Sequence, residues 1–217
     1  MKPEEQTEEE TEKIFEEIDG VIAVEAEDFV TQDSSTARMW HTIAAGQIPN
    51  ITPDPDPIHL LDASGGAYLE ILPDTRATHA DPLQQGVNFT NTPGEIATLT
   101  YKVWINTPGK YYVSVRAYST GSEDNGIHVG LDGFWPESGK RMQWCDGKNA
   151  WTWESKQRTE ANHCGEAWKI YLDIFGEGLH TIHFSMREDG FEFDKWFMSL
   201  EKEKPTGHGP APVVRSE

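Results

Sequence analysis

Apolar and polar residues alternate along much of this chain. Leu99, Tyr101, Val103 and Ile105 are separated by polar residues, as are Val113, Val115 and Ala117 in the following segment. The same period of two recurs in Ile127/Val129/Leu131, Trp168/Ile170/Leu172/Ile174 and Ile182/Phe184/Met186. A strand sends successive side chains to opposite faces, so this period predicts half-buried strands. Further strands are predicted over 21–27, 67–72 and 192–200, with an aromatic segment over 144–154. The turn Asn106-Thr107-Pro108-Gly109 predicts that 97–105 and 111–118 form a hairpin. Residues 31–66 and 73–94 are rich in Pro, Asp, Ser and Gly and read as long irregular loops. The fold class is therefore all-β: a two-sheet antiparallel β-sandwich of jelly-roll type with long loops at one end. That domain is expected over 21–203. Residues 1–20, with Ile14, Phe15 and Ile18 at helical spacing, predict an acidic leader or short helix. The Pro- and Gly-rich residues 204–217 predict a disordered tail or linker.

Composition narrows the function. Thirty-seven acidic residues against 18 Lys and Arg give a formal net charge of −19, of which −7 falls in residues 1–20. Such a charge repels phosphate backbones and anionic bilayers, so neither nucleic acid nor a membrane surface is an expected partner. No apolar run reaches the ~18 residues a spanning helix needs, so no membrane insertion is expected. The opening Met1-Lys2-Pro3-Glu4-Glu5 has no apolar stretch of a secretory signal. The chain is then either cytoplasmic or exported with its signal removed. Cys145 and Cys164 pair in an exported protein and stay as two reduced thiols otherwise.

Two motifs at opposite ends of the domain carry a family resemblance. Val24-Glu25-Ala26-Glu27-Asp28-Phe29 lies on the first strand, and Asp189-Gly190-Phe191-Glu192-Phe193-Asp194-Lys195-Trp196 opens the last. Together with Gly109-Lys110-Tyr111-Tyr112-Val113, Leu131-Asp132-Gly133 and Gly178-Leu179-His180-Thr181-Ile182, this pattern over about 21–200 resembles carbohydrate-binding modules of families 6 and 35. The resemblance implies a calcium-stabilised β-jelly-roll in which Glu25, Glu27 and Asp194 hold a structural Ca²⁺. Calcium takes about six to eight oxygens, and two carboxylates side by side on one strand are a natural start. The competing role for Glu25 and Glu27 is to keep an edge strand from pairing. The resemblance also implies a binding aromatic before a strand like 152–155, a position occupied by Trp151, and an Asn in the last loop, where this chain has Arg187-Glu188-Asp189-Gly190.

Sugars present flat C–H faces ringed by hydroxyls, which aromatic rings cover and polar side chains bond. The expected carbohydrate site therefore combines Arg38, Trp40, His41, Asn125, Trp144, Asn149, Trp151, Arg187, Glu188 and Asp189 from loops at one end. Trp168 and Trp196, on strands, are expected in the core. Between 137 and 158 the charge balance reverses: Lys140, Arg141, Lys148, Lys156 and Arg158 face Glu137, Asp146 and Glu154. That basic excess suits a uronate or sulfate group, or ordinary surface pairing. There is no phosphate loop, no Gly-x-Ser-x-Gly elbow and no zinc frame around His180 and His183. The reading is a non-catalytic, monomeric module that binds a plant or marine algal polysaccharide or oligosaccharide. It is expected to be secreted or at the cell surface or periplasm, and tethered to a catalytic domain. Two alternatives stand beside it: a small β-sandwich glycoside hydrolase or polysaccharide lyase, and a structural or adhesion domain.

Overall fold

The computed structural model describes residues 12–33 and 37–216. Among them the chain forms β1 (Ile14–Glu16), β2 (Val21–Glu25), β3 (Thr31–Gln32), β4 (Met39–Ala44) and β5 (Ala67–Leu72). Then come β6 (Thr98–Ile105), β7 (Gly109–Tyr118), β8 (Gly126–Leu131), β9 (Met142–Gln143) and β10 (Trp151–Glu154). The last five are β11 (Lys156–Gln157), β12 (Glu166–Ala167), β13 (Tyr171–Ile174), β14 (Gly178–Met186) and β15 (Glu192–Ser199). They make two sheets. One runs β1-β6-β14-β8-β9-β11-β12 with β3 on β6; the other runs β10-β7-β15-β5-β4 with β13 on β7 and β2 on β15. From β5 to β8, and again from β14 to β15, the long strands alternate between sheets, which makes the expected two-sheet sandwich.

The core lies between the sheets. Leu99, Tyr101, Val103 and Ile105 of β6 meet Val113, Val115 and Ala117 of β7 there, with Ile182, Phe184 and Met186 of β14 and Phe193, Trp196 and Met198 of β15. These are the residues the alternation marks. Three expectations change, however. β6 and β7 are not a hairpin, because the Asn106–Gly109 turn carries the chain from one sheet to the other. Trp168 is not core: it stands at φ 61°, half-buried and edge-on to Tyr112. The segment 31–66 is not all loop, since β4 forms an edge strand on β5.

The flanks are also structured. Ile14–Glu16 is a strand, not part of a helix, and pairs parallel to β6 with Phe15 opposite Val103. Phe15 is fully buried while Ile18 faces solvent, so the helical spacing is incidental. The rest of the expected leader lies outside the described residues. The C-terminal segment is no free tail: Glu16 N–H donates to the Val213 carbonyl at 2.8 Å, and Arg215 N–H to that of Ile14 at 2.8 Å. The Arg215 guanidinium covers the Trp104 ring at 3.9 Å, and Trp153 Nε1 donates to Gly207.

Sheet register lines up one row of side chains across the outer face. His41 faces Glu70, Glu70 faces Glu192, Glu192 faces Tyr118 and Tyr118 faces Trp151. A loop over 52–62 covers this row, held by Trp151 Nε1 to the His59 carbonyl at 3.0 Å and by His59 N–H to the Tyr68 hydroxyl. The His59 ring stacks on Tyr118 at 3.7 Å and its Nδ1 lies 2.7 Å from Glu192 Oε1. Burial lowers the His59 pKa against the pull of Asp56 and Asp124. Burial first, then Glu192, Asp54 and Asp56, pushes the Glu70 carboxyl up to about 10. Burial, then Asp56, Asp124 and Asp54, does the same to Glu192, also to about 10.

Two predictions follow from this architecture. Phe15→Ala should cost about 3–5 kcal/mol in denaturant unfolding, as a buried aromatic does, whereas a solvated leader would tolerate it. Glu70 and Glu192 bind protons more tightly folded than unfolded. Their contribution is thus complete below the ordinary carboxyl range and is lost as pH rises toward about 10. Thermal melts should show stability falling from pH 5 to pH 9. Glu70→Gln, which carries no titrating proton, should flatten that slope and gain stability relative to the parent as pH rises from 5 to 9, by up to about 1.4 kcal/mol per pH unit.

Candidate functional site

The loops 73–94, 119–125, 132–141, 158–165 and 187–190 meet at one end of the sandwich and enclose a cavity of ≈ 270 Å³. Its floor is the turn after β14. Arg187, 1% exposed, lays its guanidinium 5.1 Å from the Phe89 ring and donates through Nη1 to Glu188 Oε1 at 2.7 Å. Glu188 Oε2 accepts from Asn125 N–H at 3.0 Å, so both its oxygens are engaged, although burial raises its pKa. Glycine at 126 is what lets Arg187 lie there, because a Cβ would come 2.7 Å from Nη1.

The walls are stiffened one by one. Asp124 accepts from Ser119 Oγ at 3.0 Å, Thr120 N–H at 2.7 Å and Gly121 N–H at 3.0 Å, closing the 119–125 loop on itself. Arg158 N–H donates to the Arg141 carbonyl at 2.8 Å, which brings the two arginines side by side. Cys145 and Cys164 form a disulfide, and it ties the loop after β9 to the loop carrying Thr159, Glu160 and His163. Beneath, His128 accepts Arg141 N–H on Nδ1 at 3.0 Å and faces the Thr90 carbonyl through Nε2. Burial holds its pKa down to about 3 against that carbonyl, with Arg187, Arg141 and Lys140 adding to the effect, so it is neutral.

The ten residues expected to form one carbohydrate surface separate into several groups. Trp40 and Trp144 are core, and this corrects their expected exposure. Trp40 points inward from β4, donates Nε1–H to the Ala97 carbonyl at 2.7 Å and packs 5.7 Å from Phe193. Trp144 sits edge-on to Phe191 at 5.2 Å. Trp151 and His41 belong to the row on the outer face of the sheet, away from the loop cavity. Arg38 is buried and bonded to Asp189 at 3.2 Å and to Thr75, while Asp189 also accepts from Thr75 N–H. Asn125 is buried behind the cavity, and Asn149 is exposed at φ 58° with its N–H on the Ser119 carbonyl. Of the ten, Arg187 and Glu188 line the cavity. The reading missed Arg76, His79, Phe89 and His163, which lie in irregular stretches where no periodicity points anywhere. Arg141 and Arg158 were signalled by the local charge reversal.

The three residues expected to hold calcium converge on the Ser64–Gly65 turn. Ser64 Oγ donates to Glu25 Oε1 at 3.0 Å, Ser64 N–H donates to Asp194 Oδ1 at 2.6 Å, and a Cβ at Gly65 would stand 3.2 Å from Glu27 Oε1. Glu27 lies just past the end of β2, in a turn, rather than beside Glu25 on the strand. Lys195 bonds Glu25 at 2.6 Å and Arg116 bonds Asp194 at 2.7 Å. Even so, Glu25 Oε2 and Glu27 Oε2 are buried without a hydrogen-bond partner. Burial, with Glu25, Asp28 and Asp194 nearby, raises the Glu27 pKa to about 8. Oxygens of this kind fit a cation, although among the described residues no three such groups are drawn together as a finished metal cage.

Comparisons with known proteins give the chain its place. It is 54% identical over 198 residues to an uncharacterised protein of Formosa agariphila, covering 91% of this chain and 48% of that one. The chain thus spans about half the length of this relative. Among solved structures, the GH26-CBM35 β-(1,4)-mannanase of Podospora anserina matches at 15% identity and a TM-score of 0.42, over 87% of this chain and 29% of that one. A family 35 carbohydrate-binding module of Clostridium thermocellum matches at 12% identity and a TM-score of 0.40, over 82% and 96%. The profile of the glycosyl hydrolase family 115 C-terminal domain matches residues 62–212, well over half of the chain. A β-sandwich domain associated with carbohydrate-active enzymes, expected from its resemblance to two families of binding modules, is therefore found, and the chain belongs to the family of glycosyl hydrolase family 115 C-terminal domains.

Proposed function

We propose that this domain is a non-catalytic glycan-binding module, serving a catalytic domain in the same polypeptide. The observation that carries the reading is the loop-end cavity: concave, lined by the Phe89 ring and by fixed nitrogen and hydroxyl donors. An aromatic face with convergent polar groups is the general arrangement for holding a sugar. Of its two lining carboxylates, Glu188 is consumed by Arg187 and Asn125, which leaves Glu160 without the opposed acid that glycoside hydrolysis needs. Membership of a family of hydrolase C-terminal domains supports an accessory role. The disulfide supports an oxidising compartment, outside the cell or at its surface. Among the described residues no helix is long and apolar enough to cross a membrane.

We propose further that Glu25, Glu27 and Asp194 hold a structural calcium ion. When bound, the ion would supply partners to the orphaned Oε2 atoms of Glu25 and Glu27 and lock the Ser64–Gly65 turn to both strands.

Affinity electrophoresis through gels containing plant and algal polysaccharides should retard the purified domain on at least one of them. Release of reducing ends or unsaturated products by the isolated chain would replace this reading with a hydrolase or lyase. Failure on every glycan would favour an adhesion role. For the metal, excess Ca²⁺ should raise the melting temperature by roughly 5–10 °C over an EDTA-treated sample, and Glu27→Gln should abolish that difference. Identical melting curves in Ca²⁺ and EDTA would dispose of the ion.

A further inference from the structure

We infer that the outer face of the β15 sheet carries a second cation site, in which Glu70, Glu192 and His59, closed over by Asp54 and Asp56, take a first-row divalent ion such as Mn²⁺. It depends neither on glycan binding nor on a calcium ion at Ser64–Gly65. Glu70 of β5 and Glu192 of β15 stand directly opposite each other and are 3% and 1% exposed. Two charged carboxylates facing across neighbouring strands destabilise a sheet. Glu70 Oε1 and Glu192 Oε2 are buried without a hydrogen-bond partner, and so is Asp54 Oδ1 in the loop above them. Elsewhere this protein matches its buried acids with cations: Asp194 meets Arg116, Glu25 meets Lys195, Glu188 meets Arg187 and Asp189 meets Arg38. Among the described residues no Lys or Arg pairs with Glu70, Glu192, Asp54 or Asp56. The basic group against them is His59, with Nδ1 2.7 Å from Glu192 Oε1.

The covering loop inverts the usual order of a surface loop. Along Pro53-Asp54-Pro55-Asp56-Pro57-Ile58 the prolines and the isoleucine are exposed, while the two aspartates are half-buried. Both aspartates act on Glu70 and on Glu192. Proline fixes φ, so the loop holds its carboxylates over the sheet with little freedom left to lose. Stacking on Tyr118 fixes the plane of the His59 ring. Buried carboxylate oxygens without donors are unfavourable unless a cation meets them. Among the described residues no three of these groups form a finished cage. Unneutralised acids repel one another, and an ion would draw the loop down onto β5 and β15. In the ion-free domain Glu70 and Glu192 hold protons instead. The donor set decides the ion. Calcium takes oxygens, whereas an imidazole nitrogen among carboxylates suits a first-row ion, and the excess of carboxylate points to manganese rather than zinc.

Equilibrium dialysis against Mn²⁺ in a background of excess Ca²⁺ tests the site while calcium occupies Ser64–Gly65. The domain should bind Mn²⁺ in a ratio of about one to one. Glu70→Gln and Glu192→Gln should each weaken that binding by about tenfold or more, and Glu27→Gln should leave it unchanged. Should the first two variants fold poorly, NMR of the unmodified domain gives the answer. Mn²⁺ should broaden the Trp151 indole N–H, which donates to the His59 carbonyl, before that of Trp135, which lies over Gly130 of the other sheet. Absence of Mn²⁺ binding with and without calcium, or binding that survives both substitutions, would overturn the site, as would earlier broadening of Trp135. Binding to Glu27→Gln only when calcium is left out would overturn the choice of ion.

Discussion

The whole arrangement hangs on β15, a strand buried on both faces along its entire length. Its inner side is ordinary: Phe193, Trp196 and Met198 pack between the sheets. Its outer side is not. Glu192, Asp194 and Lys195 are taken out of water there, because the 52–62 loop and the Ser64–Gly65 turn lie over them. Removing charge from water must be offset locally, and each residue meets that demand differently. Glu192 holds its proton beside His59, Asp194 leans on Arg116, and Lys195 pairs with Glu25. A register irregularity between Phe193 and Lys195 turns Asp194 outward beside Arg116 and keeps Trp196 in the core. The loop just before β15 supplies Arg187 and Glu188, so the outer face and the cavity share one anchor.

How much of this the sequence discloses depends on which physical signal is involved. Period-two alternation marks β6, β7, β8 and β14 because each sends apolar side chains to the core on one face and polar or small ones to the other, whether that face is partly in water, as on β6, or covered, as on β8. It fails for β4, where Trp40, His41 and Thr42 mix the two classes, and for the outer side of β15, where burial falls on polar residues. The 97–105 and 111–118 segments are rightly strands and wrongly a hairpin. A tight turn can join two strands of one sheet or pass between two sheets, and local residues do not decide which.

The candidate site was less legible for a similar reason. Large aromatics in apparent loops suggest a ligand, yet Trp40 and Trp144 have the greatest area to gain from burial and close the core at that end. Local charge does point to two of the residues that line the cavity. The basic excess around Arg141 and Arg158 stands out in an acidic chain, and the folded protein adds Arg76 and Arg187 from segments far away in sequence. Polar groups brought together from distant segments leave no periodic trace in any one of them. Only their departure from the overall charge can be noticed beforehand.

The disulfide between Cys145 and Cys164 has a practical consequence for anyone handling the protein. It closes a span of 19 residues that gives no side chain to the main core between the sheets but carries the edge strand β10 and part of the cavity wall. Because the main core draws on no residue of that span, material made in a reducing cytosol should still pass the usual checks of solubility, circular dichroism and size. The loop bearing Glu160 and His163 would lack its tether, and any ligand of the cavity would first have to order it. Two preparations with superimposable spectra would then differ in affinity, and the thiol titre, rather than the folded fraction, would tell them apart.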